Sequence, residues 1–120
     1  MDSITITLPI PHKSLSSNAR VHWGERARHV AKARMDGYYA ALKAGGAKLW
    51  WSKATARVTW YARTLRVIDT LNINHYLKAY FDGIEDAGVV QNDRDIDVIA
   101  YDQRKDAENP RVEIELERKA

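Results

Sequence analysis

One stretch limits the fold more than any other: DTLNINHYLKAYFDGIEDAGVVQNDRDID, from Asp69 to Asp97. From about Asn72 to about Ala87, the residues Ile73, Tyr76, Leu77, Tyr80, Phe81 and Ile84 recur at three- and four-residue steps. That spacing makes a helix with one apolar stripe. Asp69 or Asn72 can cap its start, and Gly88 stands where a left-handed residue ends a helix. A helix with a single stripe must lie on an apolar surface made by other parts of the chain, and the rest of the sequence supplies strands for it.

Ile4, Ile6 and Leu8 alternate with Thr5 and Thr7 as a first strand, which Pro9 and Pro11 end. The polar run HKSLSSNAR follows, with Asn18 as a loop anchor. A first helix spans about Gly24 to Ala44, with Ala27, Val30, Ala31, Met35, Tyr38, Tyr39 and Leu42 as its expected apolar face and Gly45-Gly46 as its stop. Trp50 and Trp51 fall in a connection and are read as packing residues. Ala54–Arg63 alternates as a second strand. Ile96, Val98 and Ala100 mark a third, and Val112, Ile114 and Leu116 alternate with Glu113, Glu115 and Glu117 in a fourth. The expectation is a single α+β domain over residues 1–120. Its order is β-α-β-α-β-β: a mixed four-stranded sheet, two helices on one face, and the last two strands as a hairpin.

The 120 residues contain no cysteine, which excludes disulfides and thiolate zinc sites and suits a reducing cytoplasm. No apolar run approaches the roughly 20 residues that span a bilayer. The N-terminus lacks the basic start of a signal peptide. The net charge is only +3, but it is unevenly spread. Residues 12–34 carry Lys13, Arg20, Arg26, Arg28, Lys32 and Arg34 against Glu25 alone, whereas residues 82–97 are mainly acidic. A basic arm beside an acidic pocket suits a protein that holds a polyanion near a metal; a charge-segregated, solvated surface gives the same pattern.

The acids flank the central helix. If neighbouring strands bring its two ends together, Asp69, Asp93, Asp95 and Asp97 line one site, and a carboxylate cluster calls for a hard divalent ion such as magnesium. Each also has a plainer reading: Asp69 as a helix cap, and Asp95 and Asp97 as solvated strand residues. Lys78 is four residues before Asp82, the spacing of an exposed ion pair. His12, His22 and His29 have no metal-ligand spacing, and His75 stands alone.

Two blocks resemble the RusA-type Holliday junction resolvases, small endonucleases common in phages and prophages. They are TLPIP…LSSNARVHWGERAR and D…N…LKAYFDGIEDAGVVQND, which together cover most of the chain in the family's order. The resemblance implies a homodimer that binds four-way DNA junctions and cuts them with magnesium, for which manganese can substitute. It also implies three Asp ligands in each subunit, with a helical Lys beside them. Lys78 matches that Lys and Asp93 the last metal-binding acid. In the longer of two family spacings, preferred because it retains Asp69 and Asn72 together, Asp69 matches the first Asp, Leu71 stands where the second belongs, and Asn72 matches the Asn. In the shorter, Asn72 and Asn74 stand at the two Asp positions. Either way at least one carboxylate is replaced, and leucine cannot ligate a metal. Asp69 and Asp93, with Asp95 or Asp97 as a substitute third acid and Asp97 preferred, make one reading, an active nuclease. The other is a weakened relative that binds branched DNA or a protein partner without cutting. Arg20, Arg26, Arg28 and Lys32 are the expected DNA contacts.

Overall fold

The computed structural model describes residues 2–16 and 19–119, and of Thr70 and Asp93 the backbone only; Asn18 and the Asp93 side chain thus lie outside the described residues. The order is β1 (Ser3–Leu8), α1 (Trp23–Lys43), β2 (Ala54–Ala62), α2 (Thr70–Asp86), β3 (Ile96–Lys105) and β4 (Arg111–Arg118), with short 3-10 turns at Lys13–Leu15 and Asp93–Asp95. The four strands form one mixed sheet with both helices against its apolar face, the expected α+β architecture. No helix of the described chain is long and apolar enough to cross a membrane.

The strand order is β1-β4-β2-β3, with β3 parallel to β2 and β4 antiparallel to both β1 and β2. The last two strands are therefore not a hairpin. A parallel β2–β3 pair needs a crossover, and α2 provides it. The chain then passes the end of β2, where Asp106 N donates to Ala62 O at 2.8 Å, and returns on the other side. Inward side chains explain the placement. Val112, Ile114 and Leu116 of β4 are completely buried, as a central strand requires, whereas Ile96, Val98, Tyr101 and Gln103 of β3 are half-buried and suit an edge. The β2–β3 register shifts between Ala56 and Arg57, where Ala56 faces Val98 and Arg57 faces Ala100. This bulge moves Tyr101 and Gln103, rather than Ala100, into line with the inward residues Val58 and Trp60.

α2 lies on the sheet as its stripe requires: Ile73, Leu77, Tyr80 and Ile84 are buried, and Tyr76 and Phe81 partly so. Each fully buried aliphatic side chain contributes about 1.5–3 kcal/mol. Asp69 caps the helix, accepting from Leu71 N at 2.9 Å, and Gly88, with φ +80°, follows its end.

α1 differs from its sequence reading. Its buried residues are Ala33, Gly37 and Ala41, while Met35 and Tyr39 of the expected face are 55% and 59% exposed, and Ala27, Val30 and Ala31 are exposed as well. The cause is the crossing with α2. A Cβ on Gly37 would overlap the carbonyl oxygen of Tyr80, and one on Gly83 would overlap that of Arg34. Backbone touches backbone there, so only small residues fit between the helices. Of the connecting tryptophans, Trp51 is buried and bridges to Val90, and Trp50 stays half-exposed.

Candidate nucleic-acid interface

The first half of α2 is held from both sides. Its entry is fixed by Gln103 of β3, whose amide accepts from Ile68 N at 2.8 Å and donates to Ile68 O at 2.9 Å. One turn into the helix, Asn72 Oδ1 accepts from Ser16 Oγ at 3.2 Å, and Arg26 donates to Ser16 O at 3.3 Å. Thus α1 and the Lys13–Leu15 turn are tied to the start of α2. On another side of the helix, Asn74 takes a hydrogen bond from the Tyr101 hydroxyl. Burial raises the pKa of that hydroxyl, and the bond to Asn74 partly offsets the shift.

Leu71, Asn74 and Lys78 are spaced three and four apart, so they share one face of α2. Leu71 is 72% exposed and is not a core residue. Lys78 pairs with Asp82 at 2.6 Å. A cleft of about 400 Å³ opens on this face, lined by Asn74, Lys78, Phe81, Arg94, Ile96 and Val98. The Asp93–Asp95 turn packs against α2 at its edge. A second cleft, of about 450 Å³, lies on the opposite flank between Tyr76 of α2 and the loop bearing Lys13, Ser16 and Arg20. Both clefts carry cations with half-buried apolar floors, a chemistry suited to phosphates that approach with their sugars or bases.

The acids are dispersed by comparison. Asp69 is exposed and engaged as the cap, and Lys78 is nine residues further along, about 14 Å on a helix. Asp97 pairs in register with Thr55, so it stands on the sheet face away from the helices. It is also six residues down β3 from Gln103, which holds the residue preceding Asp69; that separation is about 20 Å along a strand. Asp95 is half-buried in the 3-10 turn. Among the described residues no three His, Asp or Glu side chains gather as a metal site. Asp69 and Asp97 are therefore not brought together, and the described carboxylates do not assemble a three-acid magnesium centre.

The basic arm is partly committed to structure. Lys32 pairs with Asp36 at 2.8 Å, and Arg34 forms a two-pronged pair with Asp86 at 2.6 and 2.8 Å. The Arg34 hydrogen bond holds the Asp86 carboxyl below its ordinary range, and the same pairing raises the guanidinium. Arg20 and Arg28 are exposed, with no ion pair or hydrogen bond among the described residues. Sequence reasoning passed over Arg94, Tyr101 and Gln103. Arg94 carried a signal, as a cation inside an acidic run. Tyr101 and Gln103 carried none, because the bulge in β3 turns them inward.

No family model matches the sequence. The fold defines a small α+β protein with a cation-lined cleft on either flank of its second helix. The chain is 32% identical to an uncharacterized protein of Xylella fastidiosa (strain Temecula1 / ATCC 700964), over 93% of this chain and 68% of that protein. It belongs to the same family as that protein.

Proposed function

We propose that the chain is a magnesium-dependent endonuclease of the RusA type, a homodimer that engages branched DNA in the cytoplasm of a bacterial or phage-infected cell. The observation that carries this reading is the shared face of Leu71, Asn74 and Lys78, which opens on a cationic cleft edged by the Asp93–Asp95 turn. The resemblance sets its helical Lys, a substituted acid position and its last acid in that same neighbourhood. Lys78 and Arg94 hold a backbone phosphate in the cleft. Arg20 and Arg28 hold flanking phosphates, and Tyr76 and Phe81 form apolar floors beneath the sugars. Magnesium, when bound, supplies an activated water and offsets phosphate charge, and it often needs only one or two protein carboxylates beside water and phosphate oxygens.

The test is cleavage of a synthetic four-way junction with magnesium, manganese or EDTA, by the wild type and by Leu71→Asp. Because Leu71 is exposed, the substitution leaves the folding stability within about 0.5 kcal/mol of wild type. It raises cutting if residue 71 is a ligand position. Failure of both proteins to cut in either metal ends the nuclease reading. A monomer in sedimentation at micromolar concentration ends the dimer. The second reading, a binder that does not cut, is favoured by the wide separation of Asp69 from Asp97. It predicts tight, salt-sensitive junction binding with no cleavage in either metal.

A further inference from the structure

Trp23, the first residue of α1, is 78% exposed, an unusual setting for the largest apolar side chain. Its ring lies 5.4 Å from that of His22, tilted by 32°, which leaves most of the indole surface open to solvent. The next residues back are Val21 and Arg20, both lining the cleft with Lys13, Ser16 and Tyr76. Exposed Arg28 follows one and a half turns into the helix. An open π-face at the start of a helix that carries Arg28 further on, with Lys13 and Arg20 on the preceding loop and none of these three cations in an ion pair among the described residues, complements a chain of alternating phosphates and unstacked bases. Paired bases inside a duplex keep their faces covered and cannot use it.

We propose that Trp23 is a base-stacking platform and that this end of the molecule takes a single-stranded segment of nucleic acid. The base lies on the indole and the phosphates lie along Lys13, Arg20 and Arg28. The inference rests on the DNA-binding reading above and deepens it, because it assigns preference for unpaired over paired strands to one side chain. Arg26, bonded to Ser16, orients the loop and is not counted among the phosphate contacts.

The experiment titrates the 120-residue chain with a short oligothymidylate and with a blunt duplex, without divalent metal, following intrinsic fluorescence and affinity at several salt concentrations. Wild type, Trp23→Ala, Trp23→Tyr, Trp50→Phe and Arg20→Ala/Arg28→Ala are compared. The oligothymidylate quenches wild type and Trp50→Phe but not Trp23→Ala. Trp23→Ala binds the single strand on the order of 10- to 100-fold more weakly, with an unchanged salt slope and little change on duplex. Trp23→Tyr restores most of the affinity, and the double arginine variant instead flattens the salt slope. Full single-strand affinity in Trp23→Ala overturns the platform while leaving DNA binding intact. So does an equal loss on both DNA forms, or a variant that changes only self-association in sedimentation, which would assign Trp23 to a protein contact. Absence of binding to either DNA overturns the platform and the DNA-binding reading together.

Discussion

The two helices are built on opposite plans. α2 turns its large side chains toward the sheet, with Ile73, Leu77, Tyr80 and Ile84 buried. α1 turns its small ones inward at Ala33, Gly37 and Ala41 and leaves Met35 and Tyr39 outside. The sheet is a broad surface that rewards bulk, whereas a neighbouring helix crossed at backbone contact rewards its absence. An apolar residue on α1 is therefore not evidence of burial, and a glycine in either helix is not evidence of weakness.

Four measurements break or sharpen that contrast. The largest effect belongs to Leu77→Ala on the sheet side of α2, where a completely buried side chain is removed; thermal or urea melting gives a loss of about 3–4 kcal/mol. Gly83→Ala comes next. Helix propensity alone gains about 1 kcal/mol, but the overlap with the Arg34 carbonyl reverses the sign to a loss of about 2–3 kcal/mol. A stabilised Gly83→Ala protein would show that the helices do not touch backbone to backbone.

The third measurement is pH dependence at Tyr80, which joins α2 to the end of β1 by donating to Pro9 O at 2.6 Å. Burial, with Asp36 adding to it, raises its pKa above the ordinary tyrosine value. Its contribution is whole below about pH 10, the unfolded value, and declines as pH rises toward the folded one. Tyr80→Phe removes that alkaline decline and costs about 1 kcal/mol at neutral pH; an unchanged alkaline melting profile in Tyr80→Phe would assign the decline to other groups. The smallest effect is that of Met35→Ala and Tyr39→Ala on the outer face of α1, each within about 0.5 kcal/mol. A loss comparable to that of Leu77→Ala would mean that this face is covered in solution.

The order of elements and the packing of α2 were readable in the sequence because period-two and period-3.6 patterns report directly on which side chains need cover. Strand neighbours are not encoded that way. The alternation of Val112, Ile114 and Leu116 says that β4 has a buried face, not that it lies between β1 and β2. Of the candidate site, Asp69 at the helix start and Lys78 on an exposed face were placed by local pattern. Whether the acids converge depends on the parallel register of β2 and β3 and on one bulge, and both are set by contacts far apart in the chain. That register holds Asp97 on the far side of the sheet from Asp69.

The amide of Gln103 does for Ile68 what a neighbouring strand's backbone would do, giving one donor and one acceptor to a residue outside any strand. A side chain on the sheet edge, rather than the length of the preceding loop, thus decides where α2 begins. Ala62 is held at the other end of that loop by Asp106 N, and Arg63, Thr64, Leu65, Arg66 and Val67 between the two anchors are exposed. Insertions or deletions there change the loop and leave the helix start where it is. One added residue between Ile68 and Asp69, past the last anchor, rotates the cap and the whole exposed face of α2 by about 100° relative to its tether. Related chains can therefore vary in length between the positions of Ala62 and Ile68 and still present the same side chains to a ligand.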